Sequence, residues 1–122
     1  MNETRSGNGA NMAVAEVVAV ALQRHGVELT FGQSIPSAFQ LAATDIGIRQ
    51  IGYRTENAGS AMADGYARMA NRIGVVTAQN GPAATLLVPG LAESLKSSIP
   101  VLALVQDVPR PTIDRNAFQE FD

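Results

Sequence analysis

"IGVVTA" at residues 73–78 and "VLALV" at 101–105 decide the fold, because both are short apolar runs without the alternation of a half-exposed strand. Strands that are apolar on both faces suit a parallel sheet covered by helices on both sides. Working outward, "VELTFG" (27–32) and "GIRQIGY" (47–53) read as two further strands. Between them, "IPSAFQLAATD" (35–45) reads as a short helix with Pro36 near its first turn. A helix is predicted from about residue 57 to 70, and another opens near "GPAAT" (81–85). Upstream, Val14, Val17, Val18, Ala21 and Leu22 fall at helical spacing within residues 12–25, with Arg24 and His25 in the last turn and Gly26 as the stop. His25 therefore reads as a capping residue rather than a ligand. Strand and helix alternate throughout, and the predicted fold is α/β: a doubly wound, mainly parallel sheet with helices on both faces. Pro89, inside "LLVPGLAESL" (86–95), predicts a bend or boundary, since an interior proline removes a helix hydrogen bond.

Composition bounds the chemistry. The 122 residues, 46% hydrophobic and 16% charged, suit one globular domain. Nine Lys plus Arg against eleven Asp plus Glu leave a net charge of -2 with no basic cluster, which argues against a nucleic-acid partner. The absence of Cys excludes disulfides, thiolate nucleophiles and Cys-ligated metals. A single His, His25, excludes His-rich metal sites. Carboxylates, amides, hydroxyls, backbone groups or a cofactor remain to do chemistry. The polar, Gly/Asn-rich start predicts a flexible tail over residues 1–12, leaving one domain at 13–122. "MAVAEVVAVAL" (12–22) has the look of a signal core, but Glu16 interrupts it and it is too short to span a bilayer. A cytoplasmic protein without membrane contact is expected.

In open parallel sheets, ligands bind beyond the carboxyl ends of the strands. The residues following the four strands are Gly32, Gln33 and Ser34; Arg54, Thr55 and Glu56; Gln79, Asn80 and Gly81; Gln106 and Asp107. "QNGPAAT" (79–85) reads either as a plain turn or as a turn presenting backbone N–H groups at a helix start. Glu56 reads either as a complement to the positive end of its helix, or a partner of Arg54 or Arg68, or as a functional carboxylate. The helix behind it is slim: Ala58, Gly59, Ser60, Ala61, Ala63, Gly65 and Ala67 let another backbone or a flat ligand approach, and a covering subunit is the expected use.

"RTENAGSAMADGYAR" (54–68) resembles "RHEQGAAHMADGYAR" of the N-terminal, pyrimidine-binding domain of thiamine diphosphate enzymes, nearest in pattern to acetolactate synthase large subunits. "NGPAATLLVPGLAES" (80–94), "SIPVLALVQDVP" (98–109) and "AFQE" (117–120) resemble later stretches in the same order. The resemblance implies that Glu56 hydrogen-bonds N1′ of the cofactor's aminopyrimidine, favouring the tautomer that removes the proton from thiazolium C2. It implies that Gln119 reaches the active site, across a subunit interface in such enzymes. Gly81 and Pro82, with Gln79 and Asn80, match the turn beside the pyrimidine, and Gln33 and Ser34 fall in the substrate-side loop. That loop departs from the family's Phe-Gly-x-Pro-Gly, reading "FGQSIPS" (31–37), and Ala83 and Leu86 stand where Gly and Asn are common.

No Gly-Asp-Gly motif for diphosphate and Mg²⁺ occurs in these residues, and the chain stops soon after "FQE". The expectation is therefore the first, incomplete domain of a longer enzyme, or of a split one, whose Mg²⁺-holding diphosphate domain lies elsewhere. Such an enzyme would be a homo-oligomeric transferase or lyase acting on small 2-oxo acids, and this chain alone would be inactive. The competing class is a non-catalytic α/β binding or assembly module, or an inactive remnant.

Overall fold

The computed structural model describes residues 12–120. The predicted tail over 1–12 thus lies, apart from Met12, outside the described residues. Helices and strands alternate as α1 (Val14–Arg24), β1 (Leu29–Phe31), α2 (Ser37–Asp45), β2 (Arg49–Ile51), α3 (Glu56–Ala70), β3 (Gly74–Ala78), α4 (Pro82–Lys96) and β4 (Val101–Val105). A single 3-10 turn at Arg110–Thr112 follows. The strands pair in parallel in the order β2-β1-β3-β4, so the sheet is doubly wound.

Alternating side-chain direction along β3 divides the core. Val75 points to a cluster with Ala19, Leu22, Phe39 and Ala43 of α1 and α2. Val76 and Ala78 point the other way, to Phe31, Tyr53, Ala63 and Leu87 under α3 and α4. Each such Val, Leu or Phe side chain contributes roughly 1.5–3 kcal/mol by leaving water. β3 is buried along its whole length, whereas β4, equally apolar in sequence, is only partly buried because it stands at the sheet edge.

Local signals act as expected at the end of α1. His25 is the C-cap, Gly26 takes φ 78°, and the N–H groups of Gly26 and Val27 donate to the carbonyls of Gln23 and Leu22. This pattern satisfies carbonyls that a helix end otherwise leaves open. The boundary expected at Pro89 is absent. Helix α4 runs unbroken from Pro82 to Lys96, with Pro89 exposed and Leu87 and Ser94 buried on the opposite side. Packing against α3 thus outweighs one missing hydrogen bond.

The slimness of α3 is used inside the chain. A Cβ on Gly90 would collide with Ser60, one on Gly74 with the Ala63 carbonyl, and one on Gly59 with the Tyr53 ring. Helices α3 and α4 and strand β3 therefore sit closer than Ala would allow. Gly65 has nothing within 4 Å of a built Cβ.

Candidate active site

Winding reverses between β1 and β3, and the crevice beyond their carboxyl ends is where a doubly wound sheet places ligands. A cleft of about 220 Å³ lies there. It is lined by Gln33, Ser34 and Ile35 after β1, by Tyr53 and Glu56 after β2, by Gln79, Pro82, Ala83 and Leu86 after β3, and by Gln119. That volume is smaller than the roughly 300–1,000 Å³ of a site for a drug-sized ligand, so it suits one ring rather than a whole extended cofactor.

Glu56 opens α3, directly after the extended N-cap Thr55, and is half-buried. No ion pair joins it to Arg54 or Arg68 among the described residues. Arg68 instead pairs with Asp64 at 2.6 Å and Glu93 at 3.4 Å. On the same cleft, the Tyr53 hydroxyl donates to the Thr77 carbonyl at 2.6 Å. Burial, reinforced by the charge of Glu56, pushes the Tyr53 phenol up to about 12, so it stays a donor at neutral pH.

The loop after β1 is seated on a polar floor. Gln40 Nε2 donates to Thr77 Oγ1 at 2.7 Å, both residues being buried. Gly32 passes over this pair with no room for a Cβ. The Gln33 carbonyl accepts from Gln50 Nε2, and Gln33 Nε2 reaches the Arg54 carbonyl at 3.5 Å.

The turn after β3 carries Gly81 at φ 64°, where a Cβ would meet the Gln119 carbonyl oxygen. Asn80 Nδ2 donates to the carbonyls of Phe118 and Gln119, at 3.2 and 3.0 Å. Gln119 Oε1 is buried and has no partner among the described residues.

Of the residues singled out from sequence, Glu56, Gln33, Ser34, Gln79, Pro82 and Gln119 come together on the cleft. Asn80 and Gly81 do not line it; they touch the segment that carries Gln119. Gln119 shares a cleft with Glu56 of its own chain. Arg54 and Thr55 fall outside the lining, and Gln106 lies on a separate apolar groove with Val18, Phe39 and Leu104. Sequence reasoning missed Tyr53 and Ile35. The one signal for Tyr53 was a phenol at a strand end, where an apolar ring and a polar tip are both useful.

Chemically, the cleft offers one carboxylate, three primary amides and two hydroxyls. This set matches the edge of a planar heteroaromatic ring that both donates and accepts hydrogen bonds, and the unpartnered Gln119 Oε1 is an acceptor in want of a donor. Among the described residues no three His, Asp or Glu side chains gather as metal ligands. Nor is any of their helices long and apolar enough to cross a membrane.

The family described as thiamine pyrophosphate enzyme, N-terminal TPP binding domain, matches residues 12–122. An acetolactate synthase large subunit of Parasynechococcus marenigrum is 40% identical over 108 residues, covering 84% of this chain and 18% of the relative. The chloroplastic acetolactate synthase of Arabidopsis thaliana is 39% identical over 109 residues, 87% of this chain and 16% of its own. The acetolactate synthase isozyme 2 large subunit of Escherichia coli is 39% identical over 110 residues, 88% and 20% respectively. The chain therefore spans a fifth or less of these relatives' length.

Proposed function

Because the chain belongs to the family of thiamine pyrophosphate enzyme N-terminal TPP binding domains, we propose that it supplies the pyrimidine-side half of an active site acting on 2-oxo acids, in the manner of an acetolactate synthase. The observation that carries this reading is the meeting of Glu56, Gln119, Gln79 and Gln33 on one ring-sized cleft at the sheet's switch point.

Glu56 would share a proton with N1′ of the aminopyrimidine, a role suited to a half-buried carboxylate that has no ion-pair partner among the described residues. Pro82, Ala83 and Leu86 give the ring an apolar wall, and the amides of Gln79 and Gln119 orient its polar edge. When bound, the cofactor supplies a nucleophilic carbon that adds to the substrate carbonyl. Gln33 and Ser34, both exposed on the same cleft, would receive the small acid. The diphosphate and its Mg²⁺ would be held by another domain of the same enzyme or a partner subunit, and a homo-oligomer of cytoplasmic location fits this division of labour.

The decisive experiment is Glu56→Gln in the full-length protein. Turnover should fall by roughly 10² to 10⁴ with the fold intact. A loss under about threefold would remove Glu56 from the chemistry. A non-catalytic module predicts no calorimetric response to thiamine diphosphate with Mg²⁺ in either protein.

A further inference from the structure

We propose that residues 110–120 form a clasp beside the cleft, and that Asn80 and Glu120 are positioning residues that hold Gln119 in it. Resemblance assigned Asn80 to the cofactor, but its side-chain donors point elsewhere. Both available contacts of Asn80 Nδ2 go to the main chain of the clasp, the Phe118 and Gln119 carbonyls. Asn80 is 9% exposed, so this amide is committed inside the protein rather than offered to a ligand. The neighbouring Gly81 completes the seat, since any side chain there would strike the Gln119 carbonyl.

The clasp is tied at its other side by Glu120. Its carboxylate accepts from the main-chain N–H groups of Asp114, at 2.5 Å, and Ala117, at 2.9 Å. These bonds hold the Glu120 carboxyl below its usual range. The segment so closed is an unusual one. Asp114, Asn116 and Gln119 take φ of 61°, 55° and 58°, left-handed values that non-glycine residues avoid unless surroundings impose them. At Gln119 the imposed conformation turns the side chain onto the cleft, with Oε1 buried and unpartnered. Asn80 thus belongs to the site through Gln119, not by touching what binds there.

The test is tryptic cleavage of the ligand-free, full-length protein after Arg115, inside the clasp. Asn80→Asp keeps the shape and removes both donors, leaving two carbonyls facing a carboxylate. Cleavage at Arg115 should accelerate on the order of tenfold, because proteolysis follows the population of the open segment. Cleavage after Arg68, Arg72 and Lys96 should stay unchanged. An unchanged rate at Arg115 would overturn the clasp. Should every site in Asn80→Asp become labile, Glu120→Gln decides, since that partly exposed change must by itself speed cleavage at Arg115.

A second readout separates positioning from general support, and it rests on the cofactor reading above. Asn80→Asp should weaken thiamine diphosphate binding on the order of tenfold, and the same substitution should cost less than about threefold in a Gln119→Ala background. A full effect in that background would overturn the role of Asn80 through Gln119. The proteolysis comparison uses no ligand, so it decides the clasp whether or not the cofactor reading survives.

Discussion

The Tyr53 hydroxyl donates to the Thr77 carbonyl at 2.6 Å while its ring occupies the space a side chain on Gly59 would need. One residue therefore sets the distance between the end of β3 and the first turn of α3, where Glu56 stands. Tyr53→Phe leaves that carbonyl without its buried donor and should lower stability by about 1–3 kcal/mol, read as a lower midpoint of chemical denaturation. A change below about 0.5 kcal/mol would mean water replaces the phenol.

The same residue predicts an alkaline limb. Its folded pKa, about 12, is raised above the unfolded value near 10, so the stability it contributes is complete below roughly pH 10 and is lost as pH rises toward 12. Tyr53→Phe should flatten the stability profile in that window. An identical slope in both proteins would assign the limb to another group.

Asp64 governs the acid side of the α3–α4 contact. It accepts from Arg68 at 2.6 Å and from the buried Ser94 hydroxyl at 2.8 Å, and these two bonds hold its carboxyl below the usual range. With the folded pKa depressed, its contribution is present above the unfolded value of about 4 and disappears as pH falls through the folded one. Asp64→Asn should therefore destabilise at pH 7, by roughly 1–3 kcal/mol, and lose less stability than the parent below about pH 4. Parallel profiles would contradict this assignment.

Gly90 and Ser60 are a matched pair at the crossing of α3 and α4. Gly90→Ala should cost about 1–3 kcal/mol despite its better helix propensity, because the new methyl meets the Ser60 side chain. Ser60→Gly in the same chain should recover part of that loss. If Gly90→Ala stabilises instead, the helices have room to separate.

Under the loop that follows β1, Gln40 and Thr77 share a buried hydrogen bond at 2.7 Å. Gln40→Met alone strands the Thr77 hydroxyl and should cost more than Gln40→Met with Thr77→Val, where no polar group is left wanting. Comparing the two denaturation midpoints checks this; equal costs would mean the bond adds nothing beyond packing.

The sheet and its site were readable to different degrees. Unbroken apolar runs at 73–78 and 101–105 announced parallel strands, and Gly26 announced the end of α1. Helix α4 was harder, since Pro89 argued for a break that packing of Leu87 and Ser94 prevents. Its C-terminus was hidden too, because Ser98, not glycine, takes the left-handed φ of 55° there. Most of the cleft's polar residues were legible because they directly follow strands, whereas Tyr53 became meaningful only once its partner Thr77, on another strand, was located.

Local patterns of hydrophobicity and turn chemistry thus determined by themselves which segments are strands and helices, that the sheet is parallel, and that Glu56 stands at a helix start beside a strand end. Those properties depend on neighbours in the chain. Tertiary structure alone decided that Asn80 holds Gln119 rather than facing the cleft, that α3 is slim to admit α4, and that β4 is left at the edge. These depend on groups dozens of residues apart meeting within hydrogen-bond or van der Waals distance, and no local periodicity encodes such a meeting.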